Sequence, residues 1–267
     1  MKILSKGRFY GAKQSEYHVS GVSLSAYDYL TPKTDWHVHE HPYFMYVLTG
    51  KLLDKNQQRE TACPAGSLLF HNWDEVHCNS KESRHARGFH IEFDRSWFED
   101  RQLDISLWTG SELLEDPYLH HLIGKLYFEF SRRDDLSSLS IELLLLELCE
   151  NIHTSQTKDS DALPPWIAPL KELLHHHHGP ISLRFLSDQL NIHPVHLSRS
   201  IPKYFSITLS EYIRRVRIKS SLKYLLNSPY SLTEIAHLCG FSDQSHFTRT
   251  FKYYFNQTPK AYRNMVS

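Results

Sequence analysis

The chain lacks the features that mark a disulfide-stapled, secreted or membrane-embedded protein. Its four cysteines (Cys63, Cys78, Cys149 and Cys239) are scattered, with no C-x-x-C pair and no dense spacing, so reduced thiols are expected instead of a disulfide framework. No apolar run reaches the roughly 18 residues a membrane helix needs, and the opening MKILSKGRFYGAKQ has no apolar h-region. The expectation is a soluble, unexported, cytoplasmic protein with no membrane partner. Net charge is also missing, since 30 Lys+Arg balance 30 Asp+Glu. That balance hides an asymmetry. From Pro180 onward there are 12 Lys+Arg against 4 Asp+Glu, which leaves 18 against 26 before it. A basic C-terminal part suits a polyanion, and the acidic part must do something else. At 267 residues there is room for two cores.

What the chain does have is most concentrated from Ser231 to Arg263, SLTEIAHLCGFSDQSHFTRTFKYYFNQTPKAYR. Ser231 and Glu234 have the spacing of a capping box, which satisfies orphan N–H groups at a helix start. Ile235, Ala236 and Leu238 supply an apolar stripe, and Gly240 ends that helix where a positive φ is needed. Phe241 is a core plug, and Ser242 is placed to cap the next helix. There Phe247, Phe251 and Phe255 recur every fourth residue, so one face is buried. Gln244, Ser245, His246 and Arg249 fall on the other face, with Lys252 further along. Gln pairs bidentately with adenine and Arg with guanine, so the pattern fits a DNA-reading helix-turn-helix. An ordinary helical hairpin with a polar outer face has the same shape.

The wording E-I-A-x-x-x-G-F-S-D-Q-S-x-F-x-R-x-F-K, followed by T-P-x-x-Y-R, resembles the C-terminal helix-turn-helix of AraC/XylS-type transcription regulators. Asn256 stands where that family usually has Gly, and Asn tolerates the left-handed conformation best after Gly. Cys239 takes the apolar position before the turn glycine. The same design recurs about 50 residues upstream: a short helix Leu183 to Leu190, a turn Asn191-Ile192-His193, and Pro194 at a first helical position. Leu197 and Ile201 are the buried counterparts of Phe247 and Phe251, while Val195, Ser198 and Arg199 face outward. Pro202 lies inside this first recognition helix and should kink it, weakening its grip. Thr208 and Glu211 have capping-box spacing at the head of a long helix, Leu209 to Asn227, which carries Arg215 and Lys219 as phosphate-contact candidates.

Between Val19 and Phe93 short β-branched and aromatic runs alternate with turn signals, an all-β sandwich or barrel pattern. Leu48-Thr49-Gly50-Lys51 reads as a hairpin turn and Pro64-Ala65-Gly66 as a second tight turn. Trp36-His37-Val38-His39, then Gly50, P-x-G and a later histidine, resemble the two halves of a cupin barrel, the sensing module of some AraC-type regulators. Metal-binding cupins have a Glu about four residues after H-x-H, and here that position is Tyr43. On a strand His37 and His39 share a face, joined by Tyr43, Met45 and Val47 if no bulge intervenes. His37, His39, Tyr43, His77 and His90 are therefore the ligand-site candidates, with Trp36, Trp73 and Tyr46 as possible pocket aromatics. Three readings stay open: a metal-free small-molecule pocket, which the missing carboxylate favours; a metal site completed by His77 and His90; and a packed, vestigial barrel.

Residues 118–131 and 138–153 read as helices, the second with an apolar stripe wide enough to be buried on two sides. The resemblance implies that it also serves a homodimer. Thr154 to Pro165 reads as a linker, and a helix follows from Trp166 to about His177. The tract His175–His178 is a helix end, where cations meet the negative end of the dipole. The whole is thus an all-β cupin-like barrel with a helical dimerisation layer (residues 1–153), a linker (154–165) and an all-α domain with two helix-turn-helix units (166–267). The expected function is a non-enzymatic, sequence-specific transcription regulator without a bound cofactor or metal. Its partners would be a promoter operator in double-stranded DNA, a small-molecule effector and, as the resemblance implies, RNA polymerase. A cupin-type metalloenzyme with an appended helical domain, or a DNA-binding regulator whose barrel only dimerises, are the alternatives.

Overall fold

The computed structural model describes residues 2–73, 75–103, 110–158, 164–177, 181–205 and 207–266. Two sheets form the N-terminal half. The five-stranded sheet has the order β1 (Lys2–Leu4), β4 (His37–His39), β9 (His77–Lys81), β6 (Lys51–Asn56), β7 (Glu60–Pro64). The six-stranded sheet has the order β11 (Ser111–Leu114), β8 (Leu68–His71), β5 (Tyr43–Thr49), β10 (Arg87–Phe93), β3 (Val22–Asp28), β2 (Ala12–Val19). Strand β5 is buried on both faces. Tyr43, Met45 and Val47 point into the space between the sheets with Leu52, Cys63 and Leu69. Phe44, Tyr46 and Leu48 point the other way into the layer covered by helices. That parity decides which side chains can line the interior.

The expected hairpin at Gly50 is a sheet crossing instead. Strands β5 and β6 follow one another directly but pair with different partners, β5 with β8 and β10, and β6 with β7 and β9. Gly50 makes this corner at φ +81°, and a Cβ there would sit 2.2 Å from the His85 carbonyl oxygen. The turn at Pro64-Ala65-Gly66 forms as expected, Ser67 N donating to the Pro64 carbonyl at 3.0 Å before β8.

The helices are α1 (Arg95–Glu99), α2 (Pro117–Arg132), α3 (Ser137–Lys158), α4 (Ile167–His176), α5 (Leu183–Leu190), α6 (Pro194–Phe205), α7 (Leu209–Asn227), α8 (Leu232–Leu238), α9 (Gln244–Phe255) and α10 (Pro259–Val266). The α3 backbone continues to Lys158, into the first part of the expected linker; residues 159–163 of that linker, and His178 of the histidine tract, lie outside the described residues. Helix α3 buries Ile141, Leu145, Leu148 and Ile152 but leaves Leu139 and Leu143 more than half exposed, as is Leu136 just before its first residue. Within one chain it is therefore buried on one side only, because α2 and the edge strand β2 are the neighbours it packs on.

Caps explain the helical boundaries in the C-terminal half. Ser231 and Glu234 complete the reciprocal capping box before α8. Asp243, not Ser242, caps α9, accepting from His246 N at 2.7 Å, because the Ser242 hydroxyl turns to Asp243 and His246 instead. At α7 Thr208 accepts from Glu211 N, but the Glu211 carboxylate goes to Arg214, Arg215 and Tyr254, so only half a capping box forms. Asn191 and Asn256 both close helices in the left-handed region, at φ 52° and 56°. Helix α6 continues past Pro202 to Phe205.

Candidate functional site: a DNA-reading face and a histidine-lined barrel

On α9 the aromatic face is sealed, Phe247 and Phe251 at 0% exposure and Phe255 at 1%. The opposite face carries Gln244, Ser245, Arg249 and Lys252 exposed and His246 half-buried. The Gln244 amide oxygen accepts from the Thr233 hydroxyl at 2.6 Å, which aims the side chain from both helices of the unit. On α6 Leu197 and Ile201 are buried, whereas Val195, Ser198 and Arg199 are exposed. All of these outward residues therefore lie where the heptad-like spacing put them.

Arg215 and Lys219 are placed differently. Both face the barrel half, with side chains only 16% and 17% exposed. Lys219 Nζ donates to the Glu115 carbonyl at 2.7 Å, and burial pushes its pKa down to about 8. The Arg215 guanidinium lies 4.2 Å from the Tyr118 ring centroid and its Nε donates to Glu211 at 3.0 Å. The charge run on α7 showed that cations were present, not which side of the helix meets the barrel. In this arrangement these two cations join halves of the molecule.

The junction is close. Helix α2 packs on the six-stranded sheet, on α3, and on α7 and α9. A Cβ on Gly124 of α2 would stand 1.8 Å from the Phe255 ring, so glycine is what allows α9 to approach. His121 of α2 meets the Tyr254 ring edge-on at 5.2 Å.

Inside the barrel, β4, β5, β9 and β10 bring His37, His39, Tyr43, His77 and His90 together, each at 2% exposure or less. Pairing of β4 with β9 sets His37 directly against His77. Tyr43 OH donates to His77 Nε2 at 3.0 Å, and the His39 ring lies 4.5 Å from that of Tyr43. The imidazoles are neutral: burial, and after it the neighbouring rings, drives His39 and His77 well below the usual value. Burial lowers His90 to about 3 and raises Tyr43 well above its usual value. The aromatics expected to line the same space divide. Tyr46 lies on the opposite face of β5 against α2, Trp36 is 40% exposed, and Trp73 is half-buried with Arg95 stacked 4.6 Å from its ring. Adjacent strand positions point to opposite faces, so Tyr43 and Tyr46 could not share a pocket.

A family model described as an AraC-like ligand binding domain matches residues 20–149, and one described as a helix-turn-helix domain matches residues 186–265. The chain belongs to the AraC-type transcription regulators. An HTH-type transcriptional regulator of Staphylococcus aureus is 23% identical over 231 residues, covering 82% of this chain and 31% of the relative. This chain thus spans about a third of the length of that relative. The Msm operon regulatory protein of Streptococcus mutans is 32% identical over 127 residues, 46% of this chain and 45% of that protein. Among solved structures, ToxT of Vibrio cholerae with bound unsaturated fatty acid matches at 13% identity and TM-score 0.40, over 96% of this chain and 98% of that one.

Four interior residues of this AraC-type barrel escaped the sequence reading: Phe9, Tyr29, Asp54 and His71. Asp54 and His71 follow the same period of two as their neighbours. In β6 Leu52, Asp54 and Asn56 are the buried positions, and in β8 His71 is paired with Tyr43. A polar residue at a buried position breaks the hydrophobic signal that periodicity relies on, so only strand parity marks it. Phe9 lies in the segment between β1 and β2 and stacks on His90 at 3.9 Å, while Tyr29 bonds His90 Nε2 at 2.9 Å. No local pattern announces a loop residue that closes a barrel from outside its strands. No helix among the described residues is long and apolar enough to cross a membrane.

Proposed function

We propose that this chain is a sequence-specific transcription regulator that reads a promoter operator through α6 and α9 and is controlled by an effector taken into the barrel. The single observation that carries this reading is the division of α9, with three phenylalanines sealed and Gln244, Ser245 and Arg249 presented to solvent. The connecting helix α7 has 19 residues and spans roughly 28 Å at 1.5 Å per residue. With the width of the helices it joins, that sets the reading heads about one DNA turn, roughly 34–36 Å, apart. Because the heads differ in their outward residues, each half-operator is asymmetric. The working division is a sensing and dimerising part (1–153), a linker (154–165) and a DNA-binding part (166–267). Family membership supports a non-enzymatic role in the cytoplasm, where DNA and RNA polymerase are the partners.

The exposed pair Leu139 and Leu143 on α3, with Leu136 just before its first residue, supports a homodimer, since apolar residues four apart on one helical face want a partner. Leu139→Lys with Leu143→Lys should shift the chain from dimer to monomer in sedimentation; an unchanged dimer would place the interface elsewhere. Hydroxyl-radical footprinting of the full chain on DNA selected from a random pool tests the main reading. Two protected patches about 10 bp apart per protomer are expected. One continuous patch per protomer, or binding unchanged by Arg249→Ala, would overturn it.

A further inference from the structure

The barrel interior contains more nitrogen and oxygen donors than a hydrogen-bonded core uses. His37, His39, His71, His77, His90 and Asp54 are all at most 3% exposed. Two sets of three bring their ligand atoms within 4.8 Å of one another: His37, His39 and His77, and Asp54, His71 and His77. His77 belongs to both.

The orientation of the rings is the decisive feature. His37 Nδ1 lies 2.8 Å from the Asp35 carbonyl oxygen, and His77 Nδ1 lies 3.0 Å from that of Glu75. A carbonyl only accepts, so in both rings Nδ1 carries the proton and Nε2 keeps its lone pair. This backbone-anchored tautomer is how proteins orient metal-ligating histidines. His71 is anchored through Nδ1 to the Ser111 hydroxyl at 2.8 Å, and its buried Nε2 has no hydrogen-bond partner and lies 3.5 Å from Asp54 Oδ1. His39 Nδ1 is likewise buried without a partner. A core cluster normally satisfies such atoms. Here ligand atoms converge within one buried volume instead.

The carboxylate is present too, on a different strand from the one where the cupin resemblance would have it. Position 43 is a tyrosine, whereas Asp54 on β6 enters the same space, bonded through Oδ1 to the Asn79 amide at 2.7 Å. Imidazole nitrogens with one carboxylate suit zinc and its neighbours, not calcium or magnesium, which take oxygen ligands.

We propose that this barrel binds a divalent transition-metal ion of the zinc class at a site centred on His77, using His37 and His39 for further nitrogens and the Asp54–His71 pair on its other side. The inference rests on reading the barrel as the effector site and names the chemical class of what enters it. Asp54 takes the part of the carboxylate missing at position 43, and the Tyr43 hydroxyl gives up its bond to His77 Nε2 when the ion takes that lone pair.

The test uses the full chain with His175–His178 all changed to Gln, because four consecutive histidines bind such ions by themselves. After chelator treatment, zinc is titrated by calorimetry, cobalt is followed by its absorption spectrum, and melting is measured with and without zinc. One ion per chain is expected, with a cobalt spectrum of nitrogen ligation and a higher melting temperature, since an ion that binds only the folded state stabilises it. His77→Gln should abolish binding. His39→Gln and Asp54→Asn should each weaken it on the order of 10–100-fold or more, the loss seen even for residues that only support a ligand. Circular dichroism checks that each variant folds; where His77→Gln does not, the His39→Gln and Asp54→Asn titrations decide. No ion on the folded parent chain, or equal affinity in all the folded variants, overturns the proposal. Operator binding in the same samples keeps the two readings apart. Zinc in the barrel without effect on operator binding leaves the metal site standing and removes it as effector. An organic inducer that shifts melting in a chain that takes no zinc does the reverse.

Discussion

The two helix-turn-helix units share one design and are anchored in different ways. The first has a core of its own, in which Leu170 and Leu174 of α4 meet Leu186, Leu197, Ile201, Tyr212 and Val216. The second has no separate core. Ile235, Phe247, Phe251, Phe255 and Tyr262 form one continuous apolar cluster with Leu122 and Leu126 of α2 and with Tyr46 and Phe89 of the six-stranded sheet. Near-identical local motifs thus acquire different neighbours, because the second presents phenylalanines where the first presents leucine and isoleucine. Those rings reach past their own hairpin to a helix that has opened a place for them at Gly124. Helix α9 packs directly on α2, whereas α6 packs on α5 and α7, so the second head alone of the two recognition helices is built into the apolar cluster of the barrel.

Truncating the shared core should break that contrast most severely. Phe255→Ala should cost about 3–5 kcal/mol and raise amide hydrogen exchange in α2 and β5 as well as in α9. Leu197→Ala should cost about 2–5 kcal/mol with faster exchange confined to α4, α5 and α6. If Leu197→Ala also loosens α2, the two cores are one.

A smaller effect separates the heads as readers. Gln244→Ala and Arg249→Ala should each lose about 1–3 kcal/mol on the selected operator and relax base preference at one position. Arg199→Ala should lose less, because Pro202 removes an N–H from the helix that carries it. Equal losses from both heads, in a quantitative gel-shift series, would show that the proline does not weaken the first.

The junction itself has a pH signature. Burial lowers the Lys219 pKa from 10.5 to about 8, an effect that the nearby Glu115 and Asp116 carboxylates only partly offset. Between those values the unfolded chain binds more protons than the folded one, so stability rises with pH from about 8 to 10.5, and the burden is fully present below 8. The slope cannot exceed about 1.4 kcal/mol per pH unit for one proton. Lys219→Met should flatten it in urea titrations across that range; the same slope in wild type and variant would assign it to another group. The converse test on phosphate contact is that Lys219→Met should leave the salt dependence of operator binding almost unchanged, whereas Lys252→Met should reduce it.

The smallest effect compares the two left-handed caps. Asn256→Gly and Asn191→Gly should each stabilise by about 0.5 kcal/mol, the strain of a non-glycine residue at positive φ offset by glycine's greater chain entropy. A rise in melting temperature for only one of them would show that the two caps carry different strain.

Much of this molecule was legible before its shape was known. The Ser231/Glu234 box, the Gly240 break and the phenylalanine period gave α8 and α9 almost to the residue, because caps, turns and a helical stripe are local and depend on near neighbours in sequence. The pairing of His37, His39 and Tyr43 on one face was legible for the same kind of reason, strand parity being a property of the backbone. The arrival of Asp54 and His71 beside them was not, since it depends on which strands pair across the sheets and on the crossing at Gly50.

The sequence by itself determined the helix-turn-helix wording, the buried and outward faces of α6 and α9, and the basic and acidic halves. The first two are written in near neighbours along the chain, and the third is a matter of composition alone. Only the tertiary structure decided that Arg215 and Lys219 turn toward Tyr118 and Glu115, that α2 is what Tyr46 meets on the outer face of β5, and that one reading head is fused to the barrel while the other has its own core. The contacts across the junction bring together residues far apart in sequence, and the packing that selects among them exists only once both halves have formed.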